Sequence, residues 1–126
     1  MRRKAAEDTP LEPVYLVIPY SYSVTAPAWL QYVDDYVTPQ FNGWMDESVL
    51  TKYEMYTQRY TAARPWDALI VLEYKDDESL GQRERVMAKV RQRLLANPKW
   101  KAIADNKQSI REEKEAVVAD ELTLPQ

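Results

Sequence analysis

The chain has 126 residues, 45% of them hydrophobic and 29% charged, with a formal net charge of -3. That is one domain's length, enough to bury roughly two-thirds of the unfolded surface, and its acidic balance gives nucleic acid no electrostatic reason to bind. There is no cysteine and no histidine, which removes disulfides, thiolate metal sites, cysteine nucleophiles, imidazole ligands and every triad built on imidazole. Chemistry here must run on Asp, Glu, Tyr, Lys, Arg, Asn or Trp, and no metal or cofactor is expected.

Residues 1–12 are charged, contain Pro10 and lack periodicity. They read as a flexible lead-in to a single domain over 13–126. Met1-Arg2-Arg3-Lys4 has the basic character of a signal-peptide start, but Ala5-Ala6-Glu7-Asp8-Thr9-Pro10 follows where an apolar segment belongs. No apolar run approaches the ~20 residues of a membrane-spanning helix. A soluble protein is expected, cytoplasmic or exported with its signal already removed, with no membrane partner.

From Pro13 to Val24, Val14, Leu16, Ile18, Tyr20 and Tyr22 alternate with Tyr15, Val17, Pro19, Ser21 and Ser23, the period of two that a strand requires. Pro19 lacks an N–H, so it belongs at a bulge or with its nitrogen pointing off an edge. Thr25 caps a helix that Pro27 helps to start. Its apolar stripe is Ala26, Leu30, Val33, Val37, Phe41 and Trp44, with an interruption at Pro39 that predicts pieces near 27–37 and 39–46.

A second strand spans Val49–Tyr60, placing Val49, Thr51, Tyr53, Met55 and Thr57 on one face and Leu50, Lys52, Glu54, Tyr56, Gln58 and Tyr60 on the other. The stretch Trp66–Lys75 is apolar on both faces and therefore reads as an interior strand that something must cover on both sides. A helix over about 77–96 follows, with Leu80, Arg83, Met87, Val90 and Leu94 in one stripe, Val86 beside it and Gly81 weakening its first turn. Asn97-Pro98 ends it and opens a short helix carrying Trp100 and Ile103. Glu115–Leu124, centred on Val117 and Val118, supplies a last short strand.

The resulting order of strand, helix, strand, strand, helix, strand, with the second and third strands antiparallel, is the α+β arrangement called ferredoxin-like, βαββαβ with an antiparallel sheet. Both helices lie on one side of such a sheet. The apolar outer face, Leu69 and Val71 above all, therefore predicts a homodimer through the sheet face.

The long tyrosine-bearing first strand, Trp66-Asp67-Ala68-Leu69 leading into a strand that ends Glu73-Tyr74-Lys75-Asp76, and Asn97-Pro98-Lys99-Trp100 closing the second helix resemble the dimeric α/β-barrel superfamily, uncharacterised bacterial members above all. The resemblance spans about 13–124. It implies two ferredoxin-like subunits packed sheet against sheet to form a dimeric α/β barrel. The superfamily includes cofactor-independent antibiotic-biosynthesis-type monooxygenases, stress-responsive barrel proteins and an ether-degradation accessory type.

Candidate site residues are mainly aromatic. Tyr20, Tyr22, Trp29, Trp44, Tyr53, Tyr56, Tyr60 and Trp66 fall near the ends or faces of these elements, where they either form a pocket for a small apolar or aromatic molecule or fill the core and the dimer interface. Resemblance to the oxygenases implies Asn, Trp, Tyr and Arg groups that bind and deprotonate a phenolic substrate. Asn42, Trp66, Tyr56, Arg59 and Arg64 supply those types here.

Glu73 shares a face with Leu69 and Val71. It reads as a general base with raised pKa or, more often in such a setting, as the partner of Arg59 or Arg111. The candidate pocket is thus Tyr20, Tyr22, Trp44, Tyr56, Arg59, Trp66 and Glu73. The run Asp76-Asp77-Glu78 reads as a solvated helix start favoured by the macrodipole. The basic side chains between Arg83 and Lys101 read as a solvated outer face rather than a nucleic-acid or membrane surface. A ligand-binding dimer, a cofactor-free monooxygenase and a purely structural dimer remain the three functional readings.

Overall fold

The computed structural model describes residues 12–59 and 65–122. The lead-in assigned to residues 1–12 therefore lies outside the described residues except for Glu12, as do Tyr60 and Arg64. The elements are β1 (Val14–Tyr22), α1 (Ala26–Tyr32), a π-helical turn (Val33–Val37), α2 (Thr38–Asp46), β2 (Leu50–Thr57), β3 (Ala68–Tyr74), α3 (Asp77–Gly81), α4 (Arg83–Leu94), α5 (Pro98–Asn106), a 3-10 turn (Lys107–Ser109), β4 (Arg111–Glu113) and β5 (Val117–Ala119).

The sheet runs β2-β3-β1-β4, with β5 also paired to β1, and every pairing is antiparallel. This is the ferredoxin-like order expected from the sequence, with β1 and β3 interior. On β3, Ala68, Ile70, Leu72 and Tyr74 are 0–1% exposed beneath the helices, while Leu69, Val71 and Glu73 on the opposite face are half-buried. The inward row of β1, Val14, Leu16, Ile18 and Tyr20, is buried in register with them. No described helix is long and apolar enough to cross a membrane.

Pro19 explains the shape of the fourth strand. Its carbonyl accepts from the Lys114 N–H at 2.8 Å, so its nitrogen faces that same neighbour, where it offers no donor. Around that gap the strand is broken into β4, opposite Tyr20–Tyr22, and β5, opposite Tyr15–Val17. Only β5 lies within the expected Glu115–Leu124 strand. The charged run Arg111-Glu112-Glu113 has no apolar alternation, and its strand character comes from the β1 edge alone.

Two further expectations are corrected. Thr51 is an extra residue in β2, since Leu50 pairs with Tyr74 and Lys52 with Glu73. This bulge moves Leu50 onto the inward face with Tyr53 and Met55, whereas unbroken alternation put it on the other. In the first helix the buried residues are Trp29, Tyr32 and Tyr36, followed by Val37, Phe41 and Trp44, while Leu30 is 60% exposed. The reason is the π turn, in which the Thr38 N–H reaches the Val33 carbonyl five residues back. One residue is thereby inserted, rotating the first half of the stripe relative to the second and accommodating Pro39 at the start of α2.

The second helix also divides, into α3 and α4 with a break at Gln82. Asp76, expected to be solvated, is buried and caps α3 by accepting from the Ser79 N–H at 2.8 Å. That backbone bond holds its carboxyl below the usual carboxylate range. Helices α2 and α4 approach closely at Gly43, where an added Cβ would lie 2.6 Å from Val90 Cγ1.

Candidate functional site

The π turn decides where the aromatic residues point. With α1 rotated, Trp29, Tyr32 and Tyr36 come into one column, and the rings of Tyr22, Trp29, Tyr32, Tyr36 and Trp100 stack with successive centroid separations of 4.8, 5.4, 5.2 and 4.7 Å. The Trp100 Nε1–H fixes the far end by donating to the Tyr36 carbonyl at 3.1 Å. Asp67 fixes the near end by accepting from the Tyr22 N–H at 2.9 Å.

Between this column, the sheet and α2 lies a cavity of about 90 Å³. Ile18, Tyr20, Val37, Phe41, Trp44 and Met87 form its apolar wall, and Arg83, Lys107, Arg111, Gln40 and Glu113 add polar groups beside Tyr32 and Tyr36. The cations sit over rings. Arg83 lies 6.0 Å from the Trp44 centroid, Lys107 5.8 Å from Tyr36 and Arg111 5.6 Å from Tyr20. Arg111 Nε donates to the Tyr32 hydroxyl at 3.1 Å, and Lys107 Nζ approaches the Tyr36 hydroxyl at 3.4 Å.

Burial pushes the Tyr32 hydroxyl up to about 12 against the opposing pull of Arg111, and burial raises Tyr20 as well. Both are therefore neutral donors near pH 7 and not bases. Trp44 Nε1 and Arg83 Nε are buried without a hydrogen-bond partner among the described residues. Trp29 Nε1 and the Tyr74 hydroxyl share that condition but do not line the cavity, and burial raises the pKa of the Tyr74 hydroxyl against the opposing pull of the Arg83 guanidinium close by.

A larger depression of about 370 Å³ lies on the open face of the sheet, lined by Tyr15, Val17, Val71 and Lys52 with Glu54, Glu73, Asp120 and Glu121. It is the weaker candidate on physical grounds, because within one protomer it is open and its polar groups are bonded to one another. The Tyr15 hydroxyl donates to Glu121 at 3.0 Å, and Thr51 Oγ1 to Glu73 at 3.0 Å. Among the described residues no group of three or more carboxylates is arranged to hold a metal ion.

The residues singled out from the sequence are thus divided. Tyr20 and Trp44 line the inner cavity. Tyr22 belongs to the ring column at its sheet end. Glu73 sits on the open face opposite Lys52 and Tyr15, held by Thr51.

Neither expected partner of Glu73 is positioned to reach it. Arg59 follows the far end of β2, and Arg111 faces the helices, bound to Tyr32. Tyr56 is 48% exposed on the open face, donating to Glu54 at 3.0 Å. Trp66 is half-buried just before β3, Arg59 is exposed, and exposed Asn42 accepts from the Tyr53 hydroxyl at 3.0 Å.

Sequence reasoning did not select Tyr32, Tyr36, Arg83, Lys107 and Arg111 for the pocket. The spacing of Trp29, Tyr32 and Tyr36 by three and four was the available signal for two of them. The place of Arg83 within an otherwise apolar stripe was the signal for a third, and it turns inward at 21% side-chain exposure instead of joining a solvated basic face. Lys107 opens the 3-10 turn and Arg111 opens β4, short elements without apolar periodicity, and neither carried a signal.

No family model matches this sequence, and no curated protein matches it significantly. Solved structures do. The chain is similar to an ethyl tert-butyl ether degradation family protein from Bacillus halodurans at 12% identity, TM-score 0.57, over 87% of this chain and 99% of that one. It is similar to SnoaB, a cofactor-independent oxygenase from Streptomyces nogalater, at 15% identity and TM-score 0.53, over 91% and 99%. A dimeric ferredoxin-like protein of unknown function from Thermobifida fusca aligns at 15% identity and TM-score 0.50, over 86% and 90%. These likenesses show the ferredoxin-like fold.

Proposed function

We propose that the protein is a homodimer in which each protomer holds one small planar molecule between its sheet and its helices. The observation that carries the ligand reading is the pair of buried donors, Trp44 Nε1 and Arg83 Nε, left without a partner at a ring-lined cavity. A buried donor that forgoes its hydrogen bond costs about 1–3 kcal/mol, which an acceptor atom of a ligand recovers. Apolar rings supply the remaining contact area, and Tyr20 from the sheet and Phe41 and Trp44 from α2 are among them.

The dimer is supported by the open face, where Val117, Val17 and Val71 are neighbours across three strands and Pro19 pairs with Leu69. Val117 is 56% exposed in one protomer. Apolar residues in a continuous row on a sheet are the surface a second copy covers. A dimer, without its interface, is named in that structural neighbour from Thermobifida fusca. Neither nucleic acid nor a membrane surface enters the proposal.

Tryptophan fluorescence with a panel of small aromatic compounds tests the ligand reading, since Trp44 lies at the cavity wall. Absence of any shift or quenching across the panel leaves a purely structural dimer. A second reading, a cofactor-independent monooxygenase acting on phenolic substrates, is favoured by the Tyr32 hydroxyl held on Arg111 and by the oxygenase among the structural neighbours. It predicts oxygen uptake with a hydroquinone that is lost in Tyr32→Phe while the dimer persists. Unchanged uptake in that variant removes it.

A further inference from the structure

The geometry points to an oxyanion as the ligand of the inner cavity, a compact planar carboxylate or enolate whose charged end is set among Arg83, Arg111 and the Tyr32 hydroxyl. This rests on the ligand reading above and adds the ligand's charge.

The polar groups of the lining are unequally divided. Trp44 Nε1 and Arg83 Nε carry hydrogens and no lone pair for hydrogen bonding. The Tyr32 hydroxyl accepts from Arg111 Nε and so has its proton left to donate, and the Tyr36 hydroxyl stands in the same relation to Lys107 at a longer distance.

Against them stand the carbonyl and carboxylate acceptors of Gln40 and Glu113 and the Tyr20 hydroxyl, which can also accept. Gln40 spends its amide N–H on the Tyr36 carbonyl at 3.4 Å, and Glu113, 43% exposed, stands 3.8 Å from Arg111 at the rim. A ligand with donors of its own would find few places for them. A ligand with two acceptor oxygens would meet the Tyr32 hydroxyl proton and the arginine charges, and charge-assisted bonds of this kind are the strong ones.

Charge points the same way. Three cations and one carboxylate line the cavity. The cations rest over Trp44, Tyr36 and Tyr20, and a ring quadrupole holds a cation without cancelling its charge. Burying a carboxylate among neutral groups is costly, but a paired and hydrogen-bonded one is tolerated.

The volume, about 90 Å³, is about that of three water molecules at ~30 Å³ each. It admits the charged end and part of one ring, so the remaining atoms of a larger ligand lie outside it. Multi-ring ligands do not fit without opening the helix layer.

The test uses benzoate and benzamide, which share a shape and differ in charge, titrated calorimetrically into the full chain at low salt. The expected result is benzoate binding at least tenfold tighter than benzamide, with that preference abolished in Arg83→Gln and in Arg111→Gln. Arg83→Gln serves alone if the other variant does not fold. Benzamide binding as tightly as benzoate overturns the oxyanion and leaves the cavity reading standing. A benzoate preference untouched by either arginine variant overturns the placement. Failure of both probes to bind at millimolar concentration removes the cavity reading and the oxyanion together.

Discussion

Gly43→Ala tests the packing that forms the helix wall of the cavity, because Gly43 lies on α2 between Phe41 and Trp44 and faces Val90 of α4. Two effects oppose each other. Alanine in a helix interior is favoured over glycine by about 1 kcal/mol. The new methyl group, however, would stand 2.6 Å from Val90 Cγ1, 3.1 Å from Cγ2 and 2.9 Å from Arg93 Nη2.

The arginine end can swing away cheaply. Val90 cannot, since it is fully buried and its branched Cβ restricts it to few rotamers. Overpacking of that kind costs about 1–3 kcal/mol, so the net effect is a destabilisation of about 1 kcal/mol. In a chain of this size that is a melting-temperature loss of about 4 °C.

Val90→Ala removes both clashing methyls and costs about 2 kcal/mol on its own. In that background Gly43→Ala should reverse sign and stabilise by about 0.5–1 kcal/mol as the helix preference is left unopposed. Urea unfolding of the four proteins at one fixed concentration reads the cycle. Gly43→Ala having the same effect in both backgrounds, or stabilising the wild type, would refute the close approach of α2 and α4.

Asp76→Ala should lose the cap of α3 and cost about 1 kcal/mol, while Asp76→Asn, which also caps, should cost less. Because the folded pKa of Asp76 is lowered, its contribution is present above the unfolded value of 3.8 and is lost as pH falls through the folded value. Acid titration of stability should therefore be shallower in Asp76→Asn, and equal slopes would contradict the assignment.

Tyr32 has the opposite sign. With its pKa raised from 10.0 to about 12, it stabilises fully below pH 10, and that contribution is lost as pH rises toward 12. Tyr32→Phe should flatten alkaline unfolding in that window, monitored by circular dichroism. Val71→Asp places a charge in the middle of the open sheet face, and sedimentation velocity should report monomer where the wild type sediments as dimer. A folded, fully dimeric variant would move the interface elsewhere.

Much of the fold was written in residue spacing. The alternation of β1 and β3 sorted their side chains into two sets, because a strand's period of two sends neighbours to opposite faces, and packing chose which set meets the helices. The order of elements specified the ferredoxin-like topology, since short connectors and right-handed crossovers leave few other arrangements. Proline and Asn97 marked the breaks at 39 and 98 through backbone chemistry that acts locally.

What sequence spacing did not determine depended on a partner strand or on an inserted residue. The π turn at Val33–Val37 shifts the helix phase by one residue and brings Trp29, Tyr32 and Tyr36 inward in place of Ala26, Leu30 and Val33. The bulge at Thr51 does the same for Leu50. Arg83, Lys107 and Arg111 meet at one cavity only because α4, the 3-10 turn and β4 converge on it, and no periodicity along the chain records that convergence. Local chemistry fixes which elements form and which way a regular element faces. Where distant elements touch, and hence where the donors gather, is settled only when the whole chain is packed.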